Sequence, residues 1–263
     1  MPRSSITPLM KKALRASLSG DTDSVGKSTA NALKHRGLWE CDRKLTREGW
    51  LQAVASAPLK LQARKLGLPI VRVQKPSHAL KPEIAAYGYF TKRGYLGSWC
   101  EGGPVLLLIR AAALDYLHEV NTFGSRSDAC CRFTEAQLTI HLEKLDEICS
   151  VIATAELSKV IQNFNEIYSY SEISSHYPSL DDAKMLAIAQ ALTMPRLAKI
   201  AKAIGSDPYR FRSGWPDLTL ANPDGGMIWG EVKTTDKFHR SQIDTISTMQ
   251  SILPGQIMLV HVS

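Results

Sequence analysis

The stretch from Gly214 to Lys233, GWPDLTLANPDGGMIWGEVK, leaves this chain few structural options. Two apolar runs, Leu218-Thr219-Leu220 and Met227-Ile228-Trp229, flank Asn222-Pro223-Asp224-Gly225-Gly226, a dense cluster of turn residues. The pattern predicts two strands folded side by side. Side chains alternate along a strand, so Glu231 and Lys233 share one face while Val232 points to the other. The turn brings Asp217 level with Glu231. Two carboxylates on one face suit a hard cation such as Mg²⁺, bound through oxygen, and such a cation polarises a phosphate and activates water. Lys233 beside them is placed to hold the attacking water or to neutralise charge developing on phosphate. An Asp…Glu-x-Lys spacing also occurs by chance in ordinary surface hairpins, so the flanking residues must decide.

Upstream, Arg210, Arg212 and Ser213 precede Gly214-Trp215-Pro216-Asp217. Downstream, Asp236 to Gln242 opens a helix with Gln242 near its first turn, and Gln256 to Val262 is a final strand-like run. The set resembles the VRR-NUC branch of the PD-(D/E)xK nucleases, whose pattern is roughly Arg…Gly-x-Pro-Asp-Leu…Glu-Val-Lys…Gln. Trp215 stands where a smaller apolar residue is usual, and Thr234-Thr235 replaces the commoner Gly-Pro.

The resemblance extends to Tyr95-Leu96-Gly97-Ser98-Trp99-Cys100-Glu101-Gly102-Gly103 and the apolar run Val105–Leu117. This is similar to the Fanconi-associated nuclease subfamily, in which a glycine-bordered Glu opening a long helix donates a further carboxylate. Glu101 fills that place, with Pro104 where a first helical turn tolerates proline. Without the family, Glu101 would read as a favourable charge at a helix N-terminus. Residues 82–262 are covered by the resemblance, including the approach Pro195–Arg212.

The resemblance implies an α/β fold: a PD-(D/E)xK, restriction-endonuclease-like core with a mixed sheet flanked by helices. It implies a metal site of Glu101, Asp217, Glu231 and the Val232 carbonyl, taking Mg²⁺ or Mn²⁺, with Glu101 ligating directly or through water. Lys233 would position or activate water, and Gln242 would orient the lysine or the scissile phosphate. Arg210 and Arg212 are candidate DNA contacts of the kind that position a duplex without reading it.

Composition narrows the classes. No run approaches eighteen apolar residues, so a membrane span is not expected. The basic N-terminus lacks the apolar core and cleavage site of a Sec signal peptide. Five cysteines without CxxC pairing argue against a zinc site or disulfide framework and for a reducing compartment. Cys100 beside Glu101 has no flanking base to make it a nucleophile. Charge is uneven: residues 1–80 hold 15 Lys and Arg against 5 Asp and Glu, and the remainder holds 17 against 20. A basic first third is expected to touch polyanions, although lysines that merely solvate helices give the same count.

Residues 1–75 read as a small helical or winged-helix-like module. Helices are expected over 6–19 and Ser28–Lys34, with Ser28 as N-cap. Gly37 is expected to end a helix and Thr46 to cap the next, around an Arg36-Gly37-Leu38 corner that resembles the end of a bacterial winged helix. Such corners also serve as protein contacts. Pro69–Pro82 reads as a connection, and residues 82–263 as the nuclease domain. Residues 118–205 read as a helical insertion, free to face outward because no catalytic residue is expected from it. In the family such an insertion accompanies monomeric nucleases.

The expected activity is metal-dependent hydrolysis of branched, splayed or flapped DNA. Two roles follow from the resemblance. One is an antibacterial effector delivered by type VI secretion into the cytoplasm of a target bacterium and neutralised by an immunity protein. The other is a repair nuclease of the Fanconi-associated type. A winged-helix DNA-binding protein with an inactive nuclease fold is the reading from a different class.

Overall fold

Short apolar runs, two within the first 100 residues and three in the last third of the chain, come together as a five-stranded mixed sheet. The strands are β1 (Ile70–Val73), β2 (Leu96–Ser98), β3 (Leu218–Ala221), β4 (Met227–Lys233) and β5 (Gln256–Val262), in spatial order β1-β5-β4-β3-β2. β4 runs parallel to β5 and β5 to β1, whereas β2–β3 and β3–β4 are antiparallel. The computed structural model describes residues 6–75, 81–121 and 124–263.

Fourteen helices are described: α1 (Pro8–Ser17), α2 (Lys27–His35), α3 (Arg47–Ala55), α4 (Leu59–Lys65), α5 (Pro82–Thr91), α6 (Gly103–Glu119) and α7 (Arg126–Cys131), then α8 (Thr134–Ile140), α9 (Leu145–Thr154), α10 (Leu157–Tyr168), α11 (Ser171–His176), α12 (Asp182–Leu192), α13 (Met194–Gly205) and α14 (Arg240–Met249). The chain divides into two units, Met1–Leu68 with Thr235–Asp244, and Pro69–Thr234 with Thr245–Ser263. Among the described residues no helix is long and apolar enough to cross a membrane.

In the first unit, Gly37 ends α2 in the left-handed region (φ 67°), and the Thr46 hydroxyl caps α3 by accepting the Gly49 amide at 3.0 Å. Trp39 and Leu45 form a single antiparallel bridge between those helices. α2 is capped at Gly26, two residues before the expected N-cap Ser28, and begins at Lys27. Thr235–Asp244 joins this unit through a buried amide clamp. Gln62 Nε2 donates to the Phe238 carbonyl (3.2 Å), and Gln62 Oε1 accepts the Phe238 amide (2.9 Å). Arg47–Asp244 and Arg240–Glu48 ion pairs reinforce it.

In the second unit, one face of the sheet carries Leu218, Leu220, Ile228, Val232, Met258 and Val260, packed with Ala85, Ala86 and Phe90 of α5. Strand alternation puts Asp217, Trp229, Glu231 and Lys233 on the opposite face. The connection expected over 69–82 begins as edge strand β1, because Val71 and Val73 find a parallel partner in β5. Residues 76–80 of it lie outside the described residues.

The insertion does not face outward as a whole. α10 packs on the almost wholly buried α6, α13 packs on α9, and α12 contacts β2, β3 and β4. The physical reason is area: Phe164, Ile167, Ile188 and Leu192 are fully buried, and helices with such stripes must pack on something.

Candidate active site

A turn and a register set the first two carboxylates. The Asn222 amide donates to Gly226 O (2.9 Å), the Gly226 amide donates to Asn222 Oδ1 (2.7 Å), and Gly225 takes φ 79°. The resulting ladder pairs Leu218 with Gly230, so Asp217 stands opposite Glu231. Asp217 Oδ2 accepts the Val232 amide at 2.7 Å, which fixes that carboxylate against β4. Glu231 is fully buried, and Lys233 Nζ lies 2.8 Å from its Oε1, with the lysine side chain 5% exposed.

Glu101 is brought in from 116 positions upstream by main-chain contacts. Its amide donates to the Asp217 carbonyl at 3.2 Å, and its own carbonyl accepts the Thr219 hydroxyl at 3.3 Å. Its backbone sits at φ 49°, where a non-glycine residue costs about 1–3 kcal/mol. Gly102 and Gly103 explain how so tight a corner fits. A Cβ on Gly102 would lie 2.4 Å from Trp215 Cγ, and one on Gly103 would lie 2.5 Å from Tyr177 Cδ1. The bulk of Trp215 is therefore matched by the absence of a side chain at Gly102. The Trp215 indole donates to Phe211 O at 2.7 Å.

The electrostatics describe a site short of positive charge. Burial raises the Asp217 carboxyl to about 6, against the lowering effect of the Val232 amide and Lys233, and Glu101 and Glu83 add repulsion. Burial likewise pushes Glu231 well above the carboxylate range, helped by Asp217 and opposed by Lys233. Glu101 is exposed by surface area, yet the walls beside it desolvate the carboxyl and raise it, with Lys233 and His176 opposing. Half-buried Glu83, in the first turn of α5, is a charge near the site that sequence did not single out.

The donor set suits a hard divalent cation: two carboxylates on adjacent strands, each penalised for its charge in the absence of one. Among the described residues no three His, Cys, Asp or Glu side chains gather closely enough to hold a metal. Glu101 thus does not close with Asp217 and Glu231 into a single three-carboxylate cluster. Its main chain is fixed on β3 while its side chain remains at the exposed rim, and unneutralised carboxylates repel. Two carboxylates remain sufficient for Mg²⁺, which keeps waters and takes further oxygens from substrate phosphate.

Arg210 and Arg212 lie exposed on a short turn before Trp215. Arg210 Nη2 donates to Thr248 Oγ1 at 3.1 Å, and Arg212 Nε approaches Glu135 Oε1 at 3.5 Å. Gln242 lies in the first unit, where its Oε1 accepts the His239 amide at 2.8 Å. The Cys100 thiol donates to Pro178 O, and burial raises its pKa, the opposite of an activated nucleophile. The five cysteines are free.

Sequence reasoning missed the residues that the insertion brings to Glu101. Ser175, His176, Tyr177 and Pro178 line a cleft of about 480 Å³ together with Trp99, Glu101, Arg212 and Trp215. No short motif marks them. A larger hollow of about 620 Å³, bordered by Arg196, Lys199 and Lys202, holds none of the site residues.

No family model matches the chain, and no curated protein matches it in sequence. Among solved structures it is similar to paFAN1 bound to DNA with a one-nucleotide 5′ flap and a gap, at TM-score 0.53 and 16% identity, covering 97% of this chain and 49% of that one. A second paFAN1 structure, bound to a two-nucleotide 5′ flap with a gap, gives TM-score 0.51 and 16% identity over 97% and 48%. The chain spans about half the length of paFAN1. What it shares with paFAN1 is the fold, a mixed sheet flanked by helices.

Proposed function

We propose that the protein is a metal-dependent endonuclease of the PD-(D/E)xK type that hydrolyses phosphodiesters in flapped, splayed or branched DNA. The observation that carries this reading is the trio on the β3–β4 hairpin: Asp217 and Glu231 face each other, with Lys233 bonded to Glu231. Asp217, Glu231 and the Val232 carbonyl would hold Mg²⁺ or Mn²⁺, with Glu101 reaching it through water. When bound, such a cation supplies a Lewis acid for phosphate and lowers the pKa of water. Lys233 is placed to orient water or stabilise charge developing on phosphate. Arg210 and Arg212 would engage phosphates, and the basic N-terminal unit would add affinity for polyanions. The resemblance gives Gln242 an orienting role, which the rate of Gln242→Ala measures. The fold shared with a flap-bound neighbour supports the substrate class. Purified protein with Mn²⁺ against linear, splayed, flapped and four-way DNA tests it, and no cleavage of any of them would end the reading.

For the biological role, the sequence resemblance favours an antibacterial effector, delivered by type VI secretion, acting in the target cytoplasm as a monomer and countered by an immunity protein. Expression in bacteria should then arrest growth unless the immunity protein is present, with escape mutations on exposed parts of 118–205 or near Arg210. The flap-bound neighbours favour a repair nuclease as the second reading, under which expression is tolerated.

A further inference from the structure

Beside the carboxylates lies a cleft that the hydrolytic trio does not use. We propose that it receives one unpaired nucleotide next to the scissile phosphate, its base against the aromatic walls and its phosphate toward Arg212. This rests on the nuclease reading above and names what that site selects.

The cleft, about 480 Å³, is of a size that suits a small ligand, and Glu101 lies on its rim. Trp215 and Tyr177, 2% and 8% exposed, form its buried floor, and half-buried Trp99 and exposed His176 are the aromatic walls with surface left to meet a base. His176 is exposed, its ring in T-shaped contact with Phe133 (5.1 Å between centroids) and Tyr177 (4.5 Å). An exposed planar ring fixed in this way meets another ring without first losing rotational freedom. Opposite charge is available in Arg212, whose side chain is 67% exposed and is tethered by nearly buried Glu135.

The cleft is preformed. Its two sides are tied by the Cys100 thiol donating to Pro178 O at 2.8 Å, and the segment behind His176 is held by the Tyr168 hydroxyl donating to Tyr177 O at 2.9 Å. Flat apolar faces beside one guanidinium match a nucleotide better than a peptide, since every base has a π-face and one phosphate follows each base. A base inside a duplex cannot reach such walls, so the nucleotide must be unpaired or flipped out. The cleft would then favour flaps, gaps and frayed ends over intact duplex.

The test places a single abasic analogue at each position within three nucleotides of the scissile phosphate of a flap substrate, and measures single-turnover rates with Mn²⁺. One position should lose about tenfold, the order of one base–aromatic stack. His176→Ala should lose a similar factor on the intact substrate and nothing further on that abasic substrate, because both remove the same contact. Trp99→Phe should keep the rate and Trp99→Ala should lose it, with melting curves confirming that each variant is folded. A flat abasic profile, or losses that multiply, would overturn the cleft while leaving the nuclease standing. Absence of cleavage on every substrate would remove both.

Discussion

The amide of Glu101 donates to the carbonyl of Asp217 at 3.2 Å, joining the start of the longest helix to the first residue of the candidate catalytic hairpin. One main-chain bond and the Thr219 hydroxyl hold a third carboxylate near the other two. Glu101 bears the strain of that placement in its left-handed backbone.

Glycine adopts such a backbone without strain, so Glu101→Gly should be more stable than Glu101→Ala by about 1–2 kcal/mol. Both variants should lose cleavage. Thermal melting of the pair checks the first statement, and equal midpoints would mean that Glu101 carries no strain.

Lys233 serves structure and chemistry together. Removing it leaves Glu231 buried beside Asp217 without its ammonium partner, so Lys233→Ala should destabilise the metal-free protein, and less so as pH falls and Glu231 takes up a proton. It should also slow cleavage about a hundredfold or more in saturating metal. Denaturant titration and single-turnover rates separate the two effects, and an unchanged rate would take Lys233 out of the mechanism.

Arg126 of the insertion pairs with Glu166, also in the insertion, and with Asp115 of α6, each at 2.6 Å. The Arg126 hydrogen bond lowers the Glu166 carboxyl; burial raises Asp115, but Arg126 outweighs it and leaves the group below its ordinary value. Carboxyls depressed on folding stabilise above their unfolded pKa and lose that contribution as pH falls through the folded one. The melting temperature should therefore fall below about pH 4.5 more steeply in wild type than in Arg126→Met. Parallel curves would mean that solvent screens the network completely.

The charge asymmetry predicts a salt effect, but deleting residues 1–75 would also remove β1 and the Gln62 clamp on Phe238. Charge reversal is the cleaner probe. Lys11→Glu with Lys12→Glu, both exposed on α1, should reduce the slope of log affinity against log salt by about two. An unchanged slope would make these lysines a solvated surface.

The hairpin, its turn and β5 were legible because each rests on local apolar runs and turn chemistry, whereas α6 followed from the family resemblance around Glu101. Asp217 opposite Glu231 followed from two apolar runs and one cluster of turn residues. The rest depends on contacts between distant segments. Nothing local in Ser175-His176-Tyr177-Pro178 says that it lies beside Glu101, 74 positions before Ser175. Residues 235–244 join the first unit because Gln62, far upstream, is buried and needs partners for both ends of its amide. The outward-facing insertion failed as an expectation because an absence of catalytic residues says nothing about packing.

The most direct measurement is cleavage of a 5′-flapped DNA by wild type, Asp217→Ala and Glu231→Ala, with DNA binding followed in parallel. Wild type should be inactive in EDTA, recover with Mg²⁺ or Mn²⁺, and bind Ca²⁺ without turnover, since its looser geometry orients water and phosphate poorly. Both variants should bind the flap about as tightly as wild type and leave it uncut. Cleavage that survives EDTA, or that persists at the wild-type rate in either variant, would contradict a metal site built on Asp217 and Glu231.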